Sequence, residues 1–216
     1  MTPRTRLIAA VTLAAALAGC RGTGDLVVDE GVGITDVRSA CPAVGVPDYT
    51  GDVTLFRTAG VTTADNIDLV GALTNVRSTC NESGEKVYTA ATFDVLARRT
   101  DARGARSVTL PYFVTVLRGG SAVISKRVGS VTINFADGQE RAQASGSASA
   151  YVDKAEASLP ADIREQITRR RKAGDADAAV DPLSRPEVKA AVARATFEVL
   201  VGFQLTQDQL TYNATR

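Results

Sequence analysis

The chain has 216 residues, 44% of them hydrophobic and 23% charged, with 25 Lys+Arg against 24 Asp+Glu, three Cys and no His. That length suffices for one ordinary domain with a real core, or at most two small ones. The lack of His excludes the usual general base of nucleophilic hydrolases, imidazole-ligated zinc and any imidazole pH switch, and a formal charge of +1 gives no global attraction to nucleic acid or anionic lipid.

Residues 1–20 carry the strongest motif: Arg4 and Arg6, a largely apolar run from Leu7 to Ala18, then Gly19 and Cys20. This is the charged and apolar pattern of a secretory signal, too short for a stable bilayer span of about 20 residues. Leu17-Ala18-Gly19-Cys20 resembles the lipobox of bacterial lipoproteins. The resemblance implies that the Cys20 thiol receives a diacylglycerol, that cleavage removes residues 1–19, and that the new amino group is acylated. The competing readings are an ordinary cleaved signal with a coincidental cysteine, or a short apolar helix. With two or three acyl chains at about 0.8 kcal/mol per buried methylene, the mature protein is expected to be membrane-anchored without a transmembrane helix. Arg21, where the family's inner-membrane members carry Asp, points to the outer membrane. Removal of residues 1–19 takes Arg4 and Arg6 from the 25 basic residues and none of the 24 acids, so the mature chain is near −1.

With Cys20 assigned to lipid, Cys41 and Cys80 enter an oxidising compartment as a pair, which argues for one disulfide. Their contexts also rhyme, Val37-Arg38-Ser39-Ala40-Cys41 against Val76-Arg77-Ser78-Thr79-Cys80. Closing that loop stabilises a fold by about 4 kcal/mol on chain-entropy grounds. Two free thiols or a redox pair are the alternatives, the latter disfavoured by the lack of C-x-x-C spacing. Residues 20–45 read as the lipidated N-terminus and a flexible tether, on the order of 25 Å end to end, and residues 46–216 as the domain.

Within the domain, Val53–Arg57 and Ile67–Thr79 read as weak strands. Val87, Thr89, Ala91, Phe93, Val95 and Ala97 alternate with more polar neighbours, the period of a half-buried strand. Val108 to Val116, Val131 to Phe135 and Phe197 to Leu205 repeat it, with Pro111 tolerable at an edge or a bulge and the last run expected at the centre of a sheet. Asn81–Gly84, Asp101–Gly104, Arg118–Ser121 and Ala136–Gly138 supply turn residues. The pattern predicts a mainly β fold: an antiparallel β-sandwich similar to immunoglobulin or fibronectin type III domains. A short helical insertion at about 153–194 precedes the last strand. One helix there starts near Ser158 and Pro160 and ends in Arg169-Arg170-Arg171-Lys172, and a second opens at Pro186 and runs through Ala193. Thr206-Gln207-Asp208-Gln209 reads as a helix N-terminus, with Thr206 capping a short turn through Tyr212. In this last stretch and in overall layout the chain resembles small envelope lipoproteins of alphaproteobacteria, a likeness that implies class and no catalytic residue.

Candidate sites are few. Arg169, Arg170, Arg171 and Lys172 are a candidate contact for phosphate or anionic headgroups; the plainer reading is a solvated helix end neutralised by Asp175, Asp177 and Asp181. Ser83-Gly84-Glu85-Lys86 matches S-x-x-K spacing but lacks the partner motifs. Ser145, Ser147 and Ser149 lie in a small-residue strand with no base to activate them. Asp65, Asp68, Asp137 and Glu140 show no calcium-loop spacing and no convincing catalytic pair. The sequence calls for no cofactor, no metal and no nucleic acid. The expected partners are the membrane, through the N-terminal lipid, and an envelope protein. The leading expectation is therefore a non-catalytic, lipid-anchored contact module of the envelope. Its alternatives are an envelope glycan- or lipid-acting enzyme using carboxylates, and a small-molecule-binding domain with its site between sandwich and insertion.

Overall fold

A computed structural model describes residues 39–172 and 174–216. These fall into two compact units: the body, whose described part is 39–167 with Asp181–Arg216, and a second whose described part lies within Thr168–Val180. The described residues of the body form eight strands: β1 (Ala43–Gly45), β2 (Asp52–Phe56), β3 (Ile67–Asn81), β4 (Lys86–Arg99), β5 (Arg106–Arg118), β6 (Ala122–Phe135), β7 (Arg141–Asp153) and β8 (Phe197–Phe203). The helices are α1 (Ala161–Thr168), α2 (Pro186–Ala195) and α3 (Gln207–Thr215).

The strands form two four-stranded sheets, ordered β1-β8-β5-β6 and β2-β3-β4-β7, antiparallel throughout except for β1 against β8. Inward residues of both sheets, among them Leu69, Phe93, Val95, Ile133, Val199 and Val201, share one apolar core. The alternation legible in β4 continues one step beyond Ala97. The next inward position is Arg99, 1% exposed at the end of the core. Its Nε donates to the carbonyl of Gln139 (2.7 Å), Nη1 to Gly104 (2.8 Å), and Nη2 to Ala102 (2.7 Å) and Ala136 (2.8 Å). Phe135 lies 5.2 Å from the guanidinium carbon. One side chain thus ties the β4–β5 turn to the β6–β7 turn, both of which carry the chain from one sheet to the other.

Within the small-residue run 142–150, one position is small because of what packs on it. The Phe93 ring lies against Gly146 so closely that a Cβ there would come within 2.3 Å of it. Phe93 meets Tyr112 of the opposite sheet edge-to-face at 5.0 Å, and the Tyr112 hydroxyl donates to the Ser147 carbonyl at 2.7 Å, linking the sheets.

Four expectations are corrected. The tether read over residues 20–45 does not extend to its last residues: Cys41 is cross-linked and Ala43–Gly45 pair in parallel with Glu198–Leu200. Strand β6 begins at Ala122, not Val131, because its first half is exposed on both faces and shows no alternation to read. Pro111 lies in a strand with neighbours on both sides, not at a sheet edge or a bulge. Its carbonyl accepts from Gln204, just past the end of β8, so its missing N–H faces the side on which that neighbour has stopped. Finally, α1 ends at Thr168, leaving Arg169–Lys172 beyond the helix and no basic residue in its last turn.

The insertion lies between β7 and β8, where the sequence placed it. The first helical bond of α1 runs from the Arg164 N–H to the Pro160 carbonyl, while the Ser158 hydroxyl turns back to Lys154 and does not cap. Ile163 and Ile167 of α1 pack on Val188 and Ala191 of α2 in a small core of their own. Gly119, at φ 62°, holds the insertion to the β5–β6 turn: its N–H donates to Thr196, and a Cβ would stand 3.3 Å from the Ala193 carbonyl oxygen. Thr206 and Gln209 form a reciprocal capping box at the start of α3.

Candidate functional site

Cys41 and Cys80 are disulfide-bonded, with Cα atoms 6.1 Å apart. The bond sits where the chain enters the body. The Ala40 N–H (2.9 Å) and the Ser39 hydroxyl (3.2 Å) donate to the Glu82 carboxylate in the β3–β4 turn, and four residues later β1 joins the other sheet beside β8. The staple therefore fixes the entering chain to both sheets. Cys20, the candidate lipidation site, lies outside the described residues.

In the Thr168–Val180 unit, Arg169 pairs with the Asp177 carboxylate at 2.5 Å. Arg171 donates to the Asp177 carbonyl at 3.3 Å and to the Val180 carbonyl, and the Lys172 main-chain N–H donates to Asp175 at 3.0 Å. Arg170 is exposed. Asp181 caps the following turn through the Leu183 N–H. Of the three acids expected to neutralise the run, Asp177 does so by an ion pair, Asp175 only through main chain, and Asp181 serves another end.

The other sequence-level candidates are dispersed. Asp137 accepts the Gly104 N–H at 2.6 Å, and Glu140 lies 4.0 Å from Arg98. Asp65 is held below the usual carboxylate range by the Thr63 hydroxyl and its own backbone. Ser83 donates to Asn81 within the β3–β4 turn, and Ser145 to Asp94 across the face of the sheet. Among the described residues no group of three or more Cys, Asp or Glu is placed to hold a metal ion.

Asp68 makes a two-pronged pair with Arg106, at 2.7 and 2.6 Å, joining β3 to β5 of the opposite sheet. The hydrogen bonds from Arg106, reinforced by its charge, outweigh desolvation and hold the Asp68 carboxyl below its ordinary value. A depressed folded-state value means the pair contributes in full above the unfolded value near 3.8 and is lost as pH falls through the folded one. Urea unfolding at pH 7 and pH 3 should therefore show a smaller acid-induced loss for Asp68→Asn than for the parent chain. Equal losses would show that the pair adds nothing to acid sensitivity.

Three of the concavities among the described residues bear on the expectation of a binding site. The hollow beside the insertion, lined by Ala157, Ser158, Leu159 and Arg164, holds only about 60 Å³. A cleft of about 720 Å³ separates α3 from β2 and the β2–β3 loop, with Phe56 and Tyr212 edge-to-face at 5.1 Å on its wall. An open groove of about 770 Å³ crosses the outer face of the β2-β3-β4-β7 sheet over Val70, Ala72 and Leu96. Sequence reading missed both larger ones. Their residues come from strands and a helix far apart in the chain, and the outward apolar positions Val70 and Leu96 stand out only as departures from the polar half of an alternation.

Comparison with protein-family models, with curated proteins and with solved structures finds no match to this chain.

Proposed function

We propose that the protein is a lipid-anchored module of the bacterial cell envelope that acts by contact, held at the periplasmic face of the outer membrane. The observation that carries this reading is the partition of the three cysteines. Cys41 and Cys80 are paired with each other, which leaves Cys20, at the end of Leu17-Ala18-Gly19-Cys20, as the one thiol for an acyl group. A structural disulfide also suits an oxidising compartment. The scatter of carboxylates into separate ion pairs and main-chain hydrogen bonds favours a contact role over glycan or lipid hydrolysis, which needs two acids facing one bond.

The immunoglobulin-like reading of the fold is part of the same proposal, and neighbour relations support it. In those domains one sheet runs A-B-E-D and the other C-F-G, so B neighbours E and C neighbours F. Taking β4, β5, β7 and β8 as B, C, E and F reproduces both neighbour pairs, with β3 beside β4 as A is beside B. The chain departs from that plan at its edges. Strand β6 pairs with β5, and the three residues of β1 take the place beside β8 that a G strand fills.

The anchor is tested by metabolic labelling with a clickable fatty acid and by fractionation. The parent chain should carry label and sediment with membranes, and Cys20→Ala should lose both. Retention of label by Cys20→Ala would reject the lipoprotein reading. In-cell crosslinking from α2 should then trap a discrete partner if the module acts by contact.

A further inference from the structure

The groove on the outer face of the β2-β3-β4-β7 sheet carries a feature that the fold does not need. Cross-strand register places Arg98 of β4 directly opposite Arg141 of β7, with Val70 of β3 on the other side of Arg98. Side chains directly opposite on one face of an antiparallel pair stand about 5 Å apart at Cβ, and like charges there destabilise the sheet. One carboxylate approaches: Glu140 lies 4.0 Å from Arg98, and both side chains are more than half exposed. Among the described residues the Arg141 side chain has no hydrogen-bond or ion-pair partner. The acids flanking the neighbouring rows are engaged elsewhere, Asp52 with Arg216 at 3.0 Å and Asp94 with Asn75 and Ser145 at 2.8 Å each.

Beside the two guanidinium groups the surface turns apolar. The next outward row of the sheet is Ala72, Leu96 and Gln143, and with Val70 it floors the groove of about 770 Å³. Leu96 is 48% exposed, while its neighbours Val95 and Ala97 are inward and buried. A paired cationic head over an apolar channel is complementary to one kind of ligand. The anion relieves the repulsion by accepting hydrogen bonds from both guanidinium forks, and the hydrocarbon covers Leu96 and Val70.

We propose that this groove binds a single-chain anionic amphiphile, a long-chain carboxylate, with its headgroup between Arg98 and Arg141 and its chain along Val70, Ala72 and Leu96. The site lies wholly within described residues and does not depend on acylation of Cys20. Its test is accordingly separate from that of the anchor.

The test uses the purified chain carrying Cys20→Ser and a fluorescent undecanoate probe below its critical micelle concentration, with dodecanoate and dodecanol as competitors. Saturable binding is expected, with dodecanoate displacing the probe at least tenfold better than dodecanol. Arg98→Gln and Arg141→Gln should each weaken binding about tenfold, and Leu96→Ser several-fold. A second readout separates this from a structural role: Arg141→Gln should leave the melting temperature of the ligand-free protein unchanged or raised, because it removes a like charge directly opposite Arg98. A melting temperature that falls together with affinity would overturn the assignment. So would absence of saturable binding, equal displacement by dodecanol, or binding confined to phosphatidylglycerol vesicles.

Discussion

Arg99→Met is expected to lower the free energy of unfolding by about 3 to 5 kcal/mol, measured by urea denaturation at neutral pH. The replacement fills most of the volume but supplies no donor. Four carbonyls at the end of the core would lose a charge-assisted hydrogen bond; those of Ala102 and Ala136 keep a main-chain donor, from Gly138 and Gln139, and those of Gly104 and Gln139 have none among the described residues. Burial without a donor costs about 1 to 3 kcal/mol per group, reduced where a turn opens enough to admit water. Arg99→Lys should recover only part of the loss. An ammonium offers three donors from one point, whereas the planar fork reaches carbonyls on two different turns. Recovery to parental stability by Lys would show that charge alone matters at this position. Because both turns carry the chain between sheets, the substitution should also speed exchange of the Gly104 and Gly138 amides, which are held at Asp137 and Ala102.

The second large effect is at the staple. Cys41→Ser with Cys80→Ser should reduce stability by about 4 kcal/mol, the chain-entropy value for a loop of this size, and reduction of the parent should give the same loss. The cross-link does local work as well. It fixes the start of a three-residue parallel strand that covers the free edge of β8, and three residues of ladder are too few to hold that position by themselves. Amide exchange in Ala43–Gly45 should therefore rise further than exchange in the β4–β7 ladder. A double variant as stable as the parent would show that the entering chain is held by β1 and the Glu82 contacts alone.

Much of the architecture is legible in the sequence. Strands β4, β5 and β8 announce themselves because each buries one face, so their apolar residues fall at every second position. The same rule explains what was missed. The first half of β6 buries neither face, and its exposed Val123, Ile124 and Val128 follow no period. Arg99 was invisible for the opposite reason: it occupies an inward position, but a charged residue reads as the end of a buried run. Its burial is possible only because two turns, from Ala102 to Gly104 and from Ala136 to Gln139, converge on it with carbonyls.

The candidate sites divide in the same way. Cysteine parity and the lipobox pattern are properties of the chain taken locally, and they led to the Cys41–Cys80 pairing that the structure contains. Opposition of Arg98 to Arg141 is a matter of register between strands that meet only in the folded sheet. What the sequence by itself determined is the set of elements with one buried face, the turns between them and the pairing of two cysteines, since hydrophobic period, turn chemistry and thiol count act over short range. Which strands neighbour which, which charged side chain is enclosed and which two are forced together were decided only by tertiary packing, because those depend on groups brought into contact from distant parts of the chain.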